Sequence, residues 1–221
     1  MPESVSLPVP QEAPHRGWLR RHWTRFADAR FDQLPPDLQG AYATALRDGR
    51  GLYLWGDTGV GKSWALVALF DHVGMVEWKA TGGVPNVTVN EDGSVSQPPY
   101  PALWGWLDML DDIRHDYDRG APLAYTYFLA ADPLFLDDVG SGRPTAWAAE
   151  RLFRLVEERG RLRRLTYLTG NHPLPELEGL LNRAYGSNGD LVSVGDGQRI
   201  ASRLTEQCVG YHMTGPDRRL G

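Results

Sequence analysis

The sequence predicts an α/β domain built on a mostly parallel sheet with helices on both faces. Three observations carry this. LYLW (52–55), PLFLDDVG (133–140) and RLTYLTGN (164–171) read as short buried strands. Segments with apolar residues at helical spacing lie between them, so strand and helix alternate along the chain. The first strand runs straight into the glycine-rich stretch GDTGVGKS (56–63), which opens a helix. A chain of 221 residues with 42% hydrophobic content suits one such domain with a short extension.

In chain order, residues 1–14 carry four prolines and no apolar period, and they read as a flexible tail. Residues 15–30 mix arginines with Trp18, Trp23 and Phe26. The remainder, 31–221, is the predicted α/β domain. PPDLQGAYATALRDGRG is a helix with prolines at its start and glycines at its end. The helix after the glycine loop is expected over about 62–73, and MVEWKA (75–80) reads as a second strand. NVTVNEDGSVSQ places β-branched residues on both sides of Asp92-Gly93, a hairpin signal within about 84–98. ALWGWLDMLDDIRHDYDRG (102–120) reads as an amphipathic helix and TAWAAERLFRLVEERG (145–160) as another. QRIASRLTEQC is helical, and VGYHM (209–213) is a last strand.

GDTGVGKS fits the phosphate-cradling pattern G-x-x-x-x-G-K-[ST] at every specified position. Its glycines allow a tight turn whose N–H groups point inward, and the helix start adds partial positive charge. Gly56, Asp57, Thr58, Gly59, Val60, Gly61, Lys62 and Ser63, with Trp64 beside them, are therefore the expected nucleotide-binding residues. Lys62 would reach the β- and γ-phosphates of ATP, and the Ser63 hydroxyl would take a place on Mg²⁺. LFLDDVG supplies the second half of the site, a pair of acids at the tip of a buried strand. Asp137 would hold Mg²⁺ through its water shell, and Asp138 would polarise an attacking water. Asn171, at the end of the fourth strand, falls beside the expected γ-phosphate. Arg199 and Arg203, four apart on one helix face, could reach a neighbouring subunit's nucleotide.

These motifs, in this order, resemble the DnaC/IstB group of AAA+ ATPases, the bacterial and phage helicase loaders and transposition helpers. The P-loop NTPase (AAA+) core that this implies covers Phe31 to Arg219. ARFDQL is similar to the segment that closes over the adenine, and LFLDDVGSGRPTAWAAERLFRLVEERGR to the most recognisable block. LTGN stands where the group has T-S-N, RIASRL resembles its arginine-finger helix, and TGPDRR resembles its closing G-x-D-x-R element. The resemblance implies an ATPase using Lys62, Ser63, Asp137, Asp138 and Asn171 in cis. It implies Arg203 as a finger acting in trans within a homo-oligomer, with Arg199 as the alternative, and Arg219 as a sensor arginine. It implies single-stranded DNA and a replicative helicase as partners, or a transposase and duplex DNA. Many related ATPases have glutamate where Asp138 stands, which also leaves open an adaptor with little hydrolysis. The C-terminal helical lid of larger AAA+ proteins is not expected here.

GWLRRHWTRF suits three readings: nucleic-acid contact, docking on a partner, or packing on the core. Trp104, Trp106, Arg114 and Arg119 occupy the region that resembles the DNA-facing helix of initiator-type AAA+ proteins, against which Asp108, Asp111, Asp112 and Asp116 weigh. A net charge of −5 argues against a broadly basic surface but not against a local groove. The single cysteine, Cys208, can form neither an internal disulfide nor a cysteine metal site, and the histidines lack zinc spacing. No secretory signal and no run of about 18 apolar residues is present, so a cytoplasmic protein without a membrane span is expected.

Overall fold

The computed structural model describes residues 13–80, 88–89, 95–96, 101–118, 123–143, 145–185, 190–193 and 197–219. Its elements are α1 (Pro14–His22), α2 (Pro36–Arg47), β1 (Gly51–Trp55), α3 (Lys62–Ala80), β2 (Thr88–Val89), β3 (Val95–Ser96), β4 (Ala102–Gly105), α4 (Trp106–Asp118) and α5 (Leu123–Ala130). They continue with β5 (Leu134–Val139), α6 (Ala146–Arg161), β6 (Thr166–Gly170), α7 (Leu174–Asn182), β7 (Arg183–Tyr185), β8 (Leu191–Ser193), α8 (Gly197–Gln207) and β9 (Cys208–His212). Short 3-10 turns occupy Thr24–Phe26 and Phe31–Gln33.

Five strands form an all-parallel sheet in the order β4-β5-β6-β1-β9. Alternation along each strand feeds two cores. Leu52, Leu54, Phe135 and Tyr167 point to the side covered by α1, α2 and α3. Tyr53, Leu134, Leu136 and Leu168 point to the side covered by α4 to α8. Burial on both faces is what makes these strands read as continuous apolar runs. Residues Ala65 to Phe70 of α3 are all buried, since the helix lies between the sheet and the N-terminal segments. Two hairpins, β2-β3 and β7-β8, stand apart from the main sheet. The first pairs Thr88 with Ser96 and Val89 with Val95, as the Asp92-Gly93 signal predicts; the rest of 84–98 lies outside the described residues, as do 1–12 of the expected tail. Ala13 is buried and Pro14 opens α1, so these two residues of the expected tail belong to the packed structure.

Two predicted elements are corrected. MVEWKA is not a strand: α3 runs unbroken to Ala80. Gly74 within it is no break. A Cβ there would lie 2.7 Å from the His15 ring, so the glycine admits α1 against α3. The predicted helix 102–120 instead begins with edge strand β4, in which Ala102 to Gly105 pair with Leu134 to Asp137. Pairing with β5 overrides the local helical period there. Helices α5 and α7 and the β7-β8 hairpin are additional to the elements expected from sequence. After β9 no further helix follows among the described residues.

Two buried charges fasten the layers. Arg159 in the last turn of α6 is fully buried, and burial draws its guanidinium down to about 10. It donates to Thr166 Oγ1 (2.9 Å) and to the carbonyls of Phe128 (2.9 Å), Ala131 (2.6 Å) and Leu165 (2.6 Å), joining α5, α6 and β6. Asp71 of α3 receives Arg16 through both oxygens, at 2.8 and 3.0 Å, and meets His15 Nε2 at 3.1 Å. Burial works against ionisation of Asp71, but these hydrogen bonds and the Arg16 and Arg30 charges prevail and hold its carboxyl at about 2.

Replacing Arg159 with Met would leave several buried carbonyls without a donor, and the expected loss is about 3–5 kcal/mol of unfolding free energy in urea titration. An unchanged midpoint and slope would remove Arg159 from this role. Because the folded carboxyl of Asp71 lies below its ordinary value of 3.8, its contribution is complete above that pH and is lost as pH falls towards about 2. Thermal melts across that window should flatten in Asp71→Asn; an acid limb as steep as wild type would contradict this.

Candidate functional site

The glycine loop leaves β1 and opens α3, at the carboxyl edge of the sheet where a parallel arrangement binds ligands. Its shape needs glycine at three places, Gly56, Gly59 and Gly61, all with positive φ. Gly56 has φ 151° and lies against the Met213 carbonyl, which an added Cβ would approach to 2.2 Å. Gly59 has φ 90°, and its Cβ would fall 1.9 Å from Asp217 Oδ1. The loop is thus clasped by the chain's own C-terminal segment. Met213 N donates to Trp55 O (2.7 Å), and Arg218 N donates to Gly59 O (3.0 Å).

Lys62 is buried and donates to the carbonyls of Gly56 and Asp57, both at 2.8 Å. Burial lowers its pKa, opposed by the charges of Asp138 and Asp137. Both acids are thus close enough to act on Lys62, as the sequence predicts. Asp137 is buried, and burial raises its pKa against hydrogen bonds from Thr169 and Ser63. Between Leu136 and Val139 the β5–β6 register shifts, and Asp138 takes a left-handed φ of 59°. Such a bulge re-aims side chains that strict alternation would send to opposite faces. Asn171 Nδ2 donates to Asp138 Oδ1 (3.1 Å), so these two predicted residues also meet.

Thr169, which stands within LTGN and has no role assigned to it by sequence, links the pair. Its hydroxyl donates to Asp137 Oδ1 (2.6 Å) and accepts from the Asp138 N–H (2.7 Å). Its one signal in the sequence is a hydroxyl near the carboxyl end of a buried strand. Arg218 is likewise absent from the expected site. Its guanidinium lies 6.0 Å from the Trp64 ring and beside Gly61, whereas Arg219 is exposed and acts on Lys62 by charge.

Arg199 and Arg203 do share a face of α8, and that face meets α6. Arg199 lies 5.8 Å from the Phe153 ring; Arg203 grips Glu157 at 2.7 and 3.0 Å and reaches Glu206 at 3.2 Å. These carboxylates raise the Arg203 pKa. Of the expected DNA-facing residues, Trp106 is core, Arg114 sits over Trp147 and bonds Asp111, and Arg119 lies outside the described residues.

Chemically, the loop offers N–H groups and a cation to an anion. Ser63 and Asp137 offer hard oxygen donors of the kind Mg²⁺ takes. Among the described residues no group of three or more His, Cys, Asp or Glu side chains is placed to hold a metal. Mg²⁺ therefore fits here as an ion sharing phosphate and water oxygens with these two residues.

A glycine loop after β1, an acid pair at the tip of β5 and a polar residue after β6, the strand between them, give the chain a P-loop fold of the AAA+ kind. The chain matches the solved structure of the DnaC helicase loader with a TM-score of 0.62 and 19% identity, over 86% of this chain and 99% of that one. DnaI matches with a TM-score of 0.57 and 17% identity, over 87% and 91%. AMPPCP-bound DnaA from Aquifex aeolicus matches with a TM-score of 0.54 and 16% identity over 83% of this chain, which spans 48% of that one. No family model and no curated protein matches the sequence. No helix of the described residues is long and apolar enough to cross a membrane.

Thr169→Val would deprive Asp137 of a donor and the Asp138 N–H of an acceptor. The expected outcome is a further rise of the Asp137 pKa and a loss of about 1–3 kcal/mol in urea unfolding at neutral pH. Wild-type stability would show that the hydroxyl is dispensable.

Proposed function

We propose that the protein is an ATP-binding and hydrolysing AAA+ protein of the DnaC/IstB type that loads or remodels a replicative helicase on single-stranded DNA. One observation carries this reading: Lys62, Asp137, Asp138 and Asn171 converge at one mouth of a sheet whose fold matches helicase loaders. A DnaA of the same fold is described as bound to AMPPCP and single-stranded DNA, which supports a nucleotide and DNA for this chain too.

In this mechanism Lys62 leaves the loop carbonyls for the β- and γ-phosphates of ATP, and the loop N–H groups close on the same oxygens. Ser63 and Asp137 would hold Mg²⁺, which would supply neutralising positive charge. Asn171 fixes the Asp138 carboxylate, which accepts a proton from the attacking water. Aspartate is one methylene shorter than glutamate, so its reach to that water is longer and turnover is slow. Arg203 exchanges Glu157 for the nucleotide of a neighbouring subunit, and Arg219 senses nucleotide from the chain's end. ATP then times an assembly, and its hydrolysis releases the partner.

A transposition helper acting with a transposase on duplex DNA would use the same residues. The bond between Asn171 and Asp138 also suits an adaptor that binds nucleotide with little hydrolysis.

Lys62→Ala should abolish tight ATP binding in calorimetry; unchanged affinity would sink the cradle. Turnover measured against protein concentration, with and without single-stranded DNA, tests the shared site. Specific activity should rise with concentration and fall in Arg203→Ala by roughly 10³–10⁵, the range of arginine fingers elsewhere. Activity that is flat with concentration and indifferent to Arg203 would refute the trans site. Nucleotide binding without turnover under all conditions would favour the adaptor.

A further inference from the structure

We propose that the groove between α1 and edge strand β4 binds single-stranded nucleic acid, with bases on its tryptophans and phosphates on the arginines of the N-terminal segment. This deepens the reading of single-stranded DNA as a partner and rests on it. The groove encloses about 410 Å³ between Trp18, His22 and Trp23 on one wall and Leu103 to Gly105 on the other. Among the described residues no strand pairs beyond β4.

The aromatic rings form a connected series. His22 stacks on Trp18 at 5.1 Å and 28°, and Trp18 lies 6.0 Å from Trp104 at 34°. Trp104 continues to Tyr127 at 5.6 Å, and Tyr127 is exposed. Leu19, fully buried, anchors α1, while its neighbour Trp18 remains only partly covered. Trp104 is held in orientation by its Nε1–H donating to Asp112 Oδ2 (2.9 Å). Indole faces so displayed accept any base, because every base has a π-face.

Charge decides the occupant. Residues 14–26 contain four arginines and two histidines and no carboxylate, in a chain of net charge −5. Arg16 binds Asp71, while Arg21, His22 and Arg25 are exposed on the same segment, and His22 lines the groove. A basic rim along an aromatic groove suits a polyanion with accessible bases, and a duplex keeps its base faces stacked. Asp108 is the one carboxylate in the lining, and it can accept from the exocyclic amine of cytosine or adenine. None of these residues belongs to the phosphate-loop site.

The test is fluorescence anisotropy of a labelled oligothymidylate with the full chain plus ATP, over a salt series. Trp18→Ala should weaken binding roughly tenfold, the scale of one base stack removed. The double variant Arg21→Gln/Arg25→Gln changes only exposed side chains, so its fold is secure. It should reduce the slope of log affinity against log salt by about 0.7 for each phosphate that is no longer neutralised. Basal ATP turnover should stay at the wild-type level in both. If wild type binds the oligonucleotide and both variants match it in affinity and slope, the groove is not the site, though the DNA partner stands. If both variants keep DNA affinity but no longer co-sediment with the helicase, the groove belongs to a polypeptide and the proposal is overturned. If wild type binds no single-stranded DNA at all, the broader reading falls as well.

Discussion

The hydroxyl of Thr169 holds the centre of this molecule together. It sits on β6, between β1 with its glycine loop and β5 with its acids, and it bonds one aspartate through the side chain and the next through the backbone. Parallel pairing sends all three strands out at one edge, with both Trp55 and Val139 in register with Gly170. The bulge in β5 turns Asp138 towards that edge, and the threonine hydroxyl receives the amide that the bulge diverts. Lys62, Asp137, Asp138 and Asn171 therefore become neighbours although more than a hundred residues separate the first from the last.

Helix α3 carries this geometry outward. It starts at Lys62 in the loop, and at Asp71 it binds the helix α1 that precedes the sheet in the chain. The glycine loop and the tryptophan groove are thus joined through one helix, whose residues Ala65 to Phe70 are buried. The C-terminal segment closes the other side of the loop, with Asp217 against Gly59 and Arg218 beside Trp64. The C-terminal segment thus bears on the motif directly, whereas α1 meets the helix that the motif opens. Along the rim, α8 presents Arg199 and Arg203 to Phe153 and Glu157, one turn apart on each helix. An arginine held in such a pair keeps its charge and its direction.

Strands β1, β5, β6 and β9, the glycine loop, the acid pair and the polar residue at the strand end are legible in the sequence, because each is a local statement. A buried parallel strand is a short apolar run, and a phosphate loop needs its glycines and lysine at fixed spacing whatever surrounds it. The pairing of Thr88 with Ser96 and Val89 with Val95 belongs to the same class, since β-branched residues flank a turn-forming dipeptide in the sequence.

Tertiary contacts decided the rest. MVEWKA has the composition of a strand but continues α3, because no neighbouring strand pairs with it and α1 packs over Gly74. ALWG has a helical period yet pairs with β5, since an open sheet edge offers its backbone a full set of partners. Arg159 looks like any arginine on a charged helix; only the meeting of α5, α6 and β6 supplies the carbonyls that let it be buried. The choice of Arg218 over Trp64, the link through Thr169 and the alignment of Trp18 with Trp104 depend in the same way on segments far apart in the chain. Residue spacing encodes what the backbone does within a few residues. Which distant side chains then meet is fixed by the packing of whole elements, where burial rather than local propensity sets the energy.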